Sequence, residues 1–186
     1  HLLVAVSGGV DSVVLCDLLH QSGFRFAIAH CNFGLRGADS DADEDFVKSL
    51  ALKHEAPFFC KRFDTASASA RAKTGIQETA RTLRYEWFSH LLQHDYPDAQ
   101  LVTAHHADDN IETVLMNFFK GTGLQGLTGM NPVADPTQQR PARPLLFAQK
   151  SALVQYAVEN NLTWREDSSN SSTEYTRNYI RLNIIP

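Results

Sequence analysis

Residues 2–15 read Leu-Leu-Val-Ala-Val-Ser-Gly-Gly-Val-Asp-Ser-Val-Val-Leu, and this short stretch sets the fold class. The aliphatic run Leu2 to Val6 has the composition of a buried strand, and Ser7-Gly8-Gly9 breaks it. Val13, Val14, Leu15, Leu18 and Leu19 then recur at helical spacing. A strand that enters a helix through a glycine turn aims backbone N–H groups and the positive end of the helix dipole at one point. Ser7, Gly8, Gly9, Val10, Asp11 and Ser12 therefore read as a phosphate cradle. The glycines allow close approach, Ser7 and Ser12 offer hydroxyls, and Asp11 could hold a magnesium ion against the phosphates. An isolated Ser-Gly-Gly would be explained equally well by a plain turn with Asp11 or Ser12 as the helix cap. The lysine of a Walker A loop is absent, which argues against γ-phosphate chemistry.

Working outward, strand and helix signals alternate. Phe24 to His30 and Pro57 to Phe63 are the second and third strand candidates, with a helix over Ser40 to His54 between them. Gly75 to His94 is the longest helical pattern, and Leu101 to Ala104 is a fourth strand. Asp108 to Phe119 is a helix with Ile111, Val114, Leu115, Phe118 and Phe119 on one stripe. Residues 120–144 are rich in glycine and proline and predict an exposed connection. Lys150 to Asn160 predicts a helix, Thr163 to Arg165 a final edge strand and Glu174 to Ile184 a closing helix. The expected architecture is α/β: an open, mainly parallel five-stranded sheet with helices on both faces, Rossmann-like. One domain over 1–186 is expected, with a helical extension at about 149–186.

The fourth strand runs into His105-His106-Ala-Asp108-Asp109-Asn-Ile-Glu112-Thr113. Ligands of open α/β sheets bind at the carboxyl ends of strands, near the point where strand order reverses. If the first and fourth strands are neighbours, the cradle and these acids face one crevice, with Asp109 and Glu112 on one helix face. Taken singly, Asp108 or Asp109 could be a cap, His106 a surface residue and Glu112 a solvated acid; five titratable groups in eight positions favour a site. Two further patterns mislead. Gly121-Thr-Gly-Leu-Gln-Gly126 fits GxGxxG but follows a helical segment and opens no helix, so a loop near a substrate is the better reading. Asp39, Asp41, Asp43, Glu44 and Asp45 open a helix, where carboxylates complement the dipole, and are read as solvated and structural.

Lys plus Arg number 17 against 21 Asp plus Glu, a formal charge of −4, so any RNA contact must use a local patch. No apolar run approaches the roughly 20 residues of a membrane span, and no membrane partner is expected. Cys16, Cys31 and Cys60 form no CxxC pair, which argues against a disulfide framework or thiolate zinc site and for a cytoplasmic setting. The chain starts at His1 without a basic, apolar leader, and is expected to be trimmed at its ends. Composition leaves the oligomeric state open, a homodimer among the options.

Ser-Gly-Gly-Val-Asp-Ser at 7–12 resembles the PP-loop of the N-type ATP pyrophosphatases, which cleave ATP between its α and β phosphates. The likeness extends along the chain. It takes in His30 with Gly34-Leu-Arg-Gly37, Ala80-Arg-Thr-Leu-Arg-Tyr85, Thr103 to Thr113, Gly121 to Met130, Arg143-Pro-Leu-Leu146, Trp164 to Asn170, and Arg177-Asn-Tyr-Ile-Arg181. These stretches are similar to the tRNA(Ile)-lysidine synthetase family. The resemblance implies that ATP adenylates the C2 oxygen of the wobble cytidine in a tRNA(Ile) with a CAU anticodon. Free L-lysine then displaces AMP, giving lysidine. It implies ATP and Mg2+ as cofactors, Asp11 as metal ligand, and the 7–12 turn with Ala29 and His30 around the nucleotide. It further implies Asp109 as the base that deprotonates lysine, Glu112 as the lysine-ammonium partner, His105 at the phosphate or leaving group and Arg81 at the cytosine. Arg84, Arg177 and Arg181 are further substrate or RNA contacts with equally good structural readings. Where the family carries a histidine after Asn32, this chain has Phe33. Its further C-terminal domains are expected to lie outside the chain. A PP-loop tRNA thiolase, another synthetase of that superfamily and a non-catalytic nucleotide-binding module remain the competing readings.

Overall fold

The computed structural model describes residues 1–133, 135, 140–166, 179–180 and 183–185. Four strands form the sheet: β1 (Leu2–Ala5), β2 (Phe26–Asn32), β3 (Phe58–Arg62) and β4 (Gln100–Thr103). Their order is β3-β2-β1-β4 and every pairing is parallel, with Ala5 opposite both Ala29 and Thr103. The chain steps outward from β1 to β2 and β3, then returns to the other side of β1 for β4. That reversal opens a crevice at the carboxyl ends of β1 and β4.

The crossovers carry α1 (Val10–Gln21), α2 (Ala38–Lys53), and the pair α3 (Thr65–Ala72) and α4 (Ile76–His90), which runs into a π-helical turn, Leu91–Asp95. After β4 come α5 (Ala107–Phe119), the short α6 (Leu124–Leu127) and α7 (Lys150–Glu159). Alternate strand residues face opposite layers. Val4, Ile28 and Val102 pack with Val13 and Val14 of α1, Val47 of α2 and Leu153 and Ala157 of α7. Leu3, Ala27, Ala29 and Leu101 pack with Trp87 and Phe88 of α4 and Leu91 of the π turn. Burial on both faces is why the strands lack a polar alternation.

Several expectations are corrected. Among the described residues the sheet has four strands, not five: Thr163 to Arg165 pairs with no strand. Beside β4, among the described residues, only Ala142 bridges, taking the N–H of Thr103 at 3.0 Å and giving its own to Leu101 at 2.8 Å. Pro141 and Pro144 flank that bridge, and a residue without an N–H cannot extend a ladder. The long helix begins at Ile76, preceded by the separate α3, whose small polar residues carry no apolar stripe; Asp64 caps it by accepting from the Ser67 N–H at 3.1 Å. On α5 the expected stripe does not all turn inward: Ile111, Phe118 and Phe119 are exposed, whereas Glu112 is fully buried. The closing helix expected over Glu174 to Ile184 falls mostly outside the described residues.

Candidate active site

Between β1 and α1 the chain makes a turn that is shaped by its own side chains. The Ser12 hydroxyl donates to Gly9 O at 2.8 Å and accepts the Gly8 N–H at 3.2 Å, while Ser7 Oγ accepts the Gly9 N–H at 3.3 Å. Gly8 has φ +96°, and a Cβ there would also lie 3.4 Å from Phe46 and Val47. The positive φ alone strains a side chain at this position, since the two contacts are ordinary packing distances. The Ser12 hydroxyl hydrogen is committed to the turn, and Gly9, not Asp11 or Ser12, is the helix N-cap. The first N–H groups of α1 have no intrahelical acceptors and face the turn's mouth.

Next to this turn, β4 ends in the acid-rich stretch. His106 is the N-cap of α5: its ring accepts the Asp109 N–H at 3.4 Å, and Asp109 Oδ2 accepts the His106 N–H at 3.1 Å. The same ring has its Nε2 3.4 Å from Asp109 and 3.8 Å from Asp11, so it bridges the two halves of the crevice. His105 meets Thr103 through Nδ1 and Oγ1 at 2.8 Å. Glu112, one turn along α5 from Asp109, is sealed from solvent.

Two contributors went unread in the sequence. Lys150, the first residue of α7, places Nζ 2.7 and 2.8 Å from the two carboxylate oxygens of Asp11 and gives its backbone N–H to Asp108 at 2.7 Å. Asp43 is not the solvated acid expected. Its buried carboxylate takes Arg36 Nη2 at 2.5 Å and also Arg165 Nε. The Arg165 backbone N–H in turn donates to Gly8 O at 3.0 Å. The segment around Arg165 is thus strapped across the phosphate turn. Only the fold brings Asp43 and Lys150 to these places, so no local pattern could have flagged them.

A cleft of about 870 Å³ is lined by Arg81 and Tyr85 of α4, Met130 to Pro132, Arg140 and Arg143. Asn110 of α5 anchors its wall by accepting the Met130 N–H at 2.6 Å. Arg143 donates to Asn131 O at 2.7 Å; burial, with the charges of Arg81 and Arg140, lowers its pKa from the ordinary value, against the opposing effect of Tyr85. The glycine-rich stretch from Gly121 supplies part of this rim, Gln125, Thr128 and Gly129. This is a local basic patch on a chain of net charge −4. Arg81 and Arg84 part company here: Arg81 lines the cleft, its guanidinium 5.0 Å from the Tyr85 ring, whereas Arg84 lies 5.2 Å over Phe33, which stacks on Phe63. Arg177 and Arg181 fall outside the described residues.

Ala29 and His30, expected at a strand end, lie within β2, which continues to Asn32, on the strand beside the phosphate turn. His30 Nδ1 donates to Val6 O at 2.8 Å, and its buried Nε2 has no partner among the described residues. Burial lowers its pKa from the ordinary histidine value; the Val6 contact and the charges of Glu44 and Asp43 oppose this. Among the described residues, no three His, Cys, Asp or Glu side chains cluster as a metal cage. Mg2+ does not need one, since it is commonly held by one or two carboxylates together with substrate phosphates. Asp11, a hard oxygen donor in the mouth of the phosphate turn, fits that pattern.

Known proteins of similar sequence and shape agree with this geometry. The tRNA(Ile)-lysidine synthase of Chlorobaculum tepidum is 43% identical over 189 residues, which take in 100% of this chain and 56% of that protein. The tRNA(Ile)-lysidine synthase of Porphyromonas gingivalis is 41% identical over 187 residues, 100% of this chain and 40% of that one. The chain thus spans about half the length of the curated relatives it matches. Among solved structures, the U34-tRNA thiolase NcsA from Methanococcus maripaludis, with its [4Fe-4S] cluster, superposes with a TM-score of 0.75 at 17% identity. The match covers 96% of this chain and 63% of that one, and at this identity it speaks for the fold alone. The strand-turn-helix at 2–21 and the reversal beside β1 are what a PP-loop needs, and a family model described as a PP-loop domain matches residues 1–186: the chain belongs to the PP-loop domain family.

Proposed function

We propose that this chain is the ATP-cleaving part of a tRNA(Ile)-lysidine synthase, acting in the cytoplasm on a tRNA(Ile) with a CAU anticodon and on free L-lysine. The observation that carries the reading is the parallel pairing of β1 with β4, Ala5 opposite Thr103, which sets the phosphate turn beside the acids of α5. In the first step the cytidine C2 oxygen bonds to the α-phosphorus of ATP and pyrophosphate leaves. In the second, the lysine ε-amine attacks C2 and AMP leaves with the oxygen.

The turn at Ser7–Ser12 receives the phosphates, with Ala29 and His30 beside the nucleotide. Asp11 would hold Mg2+, whose bound charge offsets that of the phosphates. Lysine arrives as an ammonium ion with a side-chain pKa near ~10.4 and must lose a proton before it can attack. Asp109 takes that proton and His105 steadies the phosphate or leaving group; for Glu112 to pair with the lysine ammonium, its carboxylate, sealed in this structure, must be uncovered. The cytosine enters the cleft, where Arg81 offers a guanidinium fork to its O2 and N3. Thiolase chemistry is less well supported: burial pushes the thiols of Cys31 and Cys60 up to about 12 and raises that of Cys16 further, which leaves them poor nucleophiles.

The test is pyrophosphate release by the full-length protein. Release that requires both lysine and a tRNA(Ile) with a CAU anticodon is expected. Release with any tRNA, or with none, refutes the reading.

A further inference from the structure

Two aromatic rings stand just past neighbouring strand ends. Phe33 follows Asn32, the last residue of β2, and Phe63 follows Arg62, the last of β3; Asn32 and Arg62 are opposite each other in the ladder, and the Phe63 N–H donates to Asn32 O at 2.8 Å. The rings stack, with 5.5 Å between centroids and 18° between planes, and Phe63 rests edge-on against the buried Trp87. They lie at the carboxyl ends of the parallel strands, the side on which the phosphate turn and the acid stretch also open. Each ring carries a cation: Arg84 lies 5.2 Å over Phe33 and Lys61 5.5 Å over Phe63. Arg62 pairs with Asp41 and Glu44, but among the described residues no carboxylate lies within ion-pair reach of Arg84 or Lys61. Both rings are only partly buried, and an aromatic pair that merely closed the core would need neither cation. Arg84 is three residues from Arg81 on α4, so the two project from one side of the helix, and Arg81 lines the cleft.

We propose that this platform, Arg84 with Phe33 and Phe63, stacks a base next to the cytidine that enters the cleft. This rests on the tRNA reading above and adds a subsite to it. A cytidine drawn into a pocket leaves its stack, and its neighbour loses a partner. Every base has a π face that stacks on an aromatic ring or a guanidinium plane, whatever the sequence. The platform restores that contact, which offsets part of the cost of unstacking. The charges of Arg84 and Lys61 face the phosphates that join the two nucleotides.

The experiment titrates the full-length protein with anticodon hairpins by fluorescence anisotropy: the intact CAU loop, and loops made abasic at the nucleotide before or after the cytidine. In wild type, one of the two abasic loops is expected to bind about tenfold more weakly than the intact loop. Arg84→Met and Phe33→Leu are each expected to weaken the intact loop by about five- to tenfold, and that abasic loop by less than about twofold. Equal losses on the intact and abasic loops overturn the proposal, because they mark residues that only support the fold. So does a wild type that binds all three loops alike. A wild type that binds none of them brings down the tRNA reading itself, and this subsite with it.

Discussion

Asp109 has a structural duty and a proposed chemical one, and the two can be separated. As the third residue of α5 it accepts the His106 N–H, which an amide oxygen also does; as a base it must carry charge. Asp109→Asn is thus expected to fold and to bind ATP as the wild type does, while lysine transfer drops by about 10²–10⁴-fold and adenylated tRNA accumulates. Separating the reaction products on a gel checks it, and unchanged lysidine formation would remove Asp109 from its role. His30 gives a pH signature. Its folded pKa lies below its unfolded one, so below about 6.5 the unfolded chain binds the extra proton and stability falls with pH; above that value the contribution is fully present. Thermal melts between pH 7.5 and 5.5 should show this loss, and His30→Asn, whose amide can still donate to Val6 O, should make the decline shallower.

At the scale of elements, the strap over the phosphate turn depends on one buried acid. Asp43 on α2 holds Arg36 from the loop after β2 and Arg165 from the segment after α7, and Arg165 holds the carbonyl of Gly8. Breaking a fully buried pair costs about 3–5 kcal/mol, but both arginines are about a third exposed here, which reduces the figure to about 1–3 kcal/mol. Asp43→Asn should lower the urea midpoint accordingly and also weaken ATP binding, because Gly8 is freed. A stability loss with ATP affinity unchanged would mean that the strap does not hold the turn. The sequence hid this element because Arg165 sits in a short apolar-polar stretch that reads as an edge strand. Its N–H does join the sheet layer, but at the phosphate turn and not at a strand.

At the scale of the whole molecule, the chain is acidic overall while Arg81, Arg140 and Arg143 gather at one cleft, where the proposed tRNA substrate would meet it. If Arg140 and Arg143 contact phosphate there, each releases counterions, and the slope of log affinity against log salt should fall by about 0.7 for each arginine removed. Filter binding of tRNA to the full-length Arg140→Ala/Arg143→Ala protein, over a salt series, measures it; an unchanged slope would put the RNA elsewhere.

Local chemistry determined a good deal here: the strand-turn-helix at Leu2 to Gln21, the alternation of strands and helices, and the composition of both the turn and the acid stretch can all be read without a fold, because periodicity and turn residues act over a few positions. Tertiary structure decided the rest. Strand order made β1 and β4 neighbours, prolines beside Ala142 stopped a fifth strand, and long-range closure brought Lys150 to Asp11 and Arg165 to Gly8. The physical reason is that such contacts join residues far apart in the chain, 139 positions for Lys150 and Asp11, and only packing of the whole sheet and its helices fixes which of them meet.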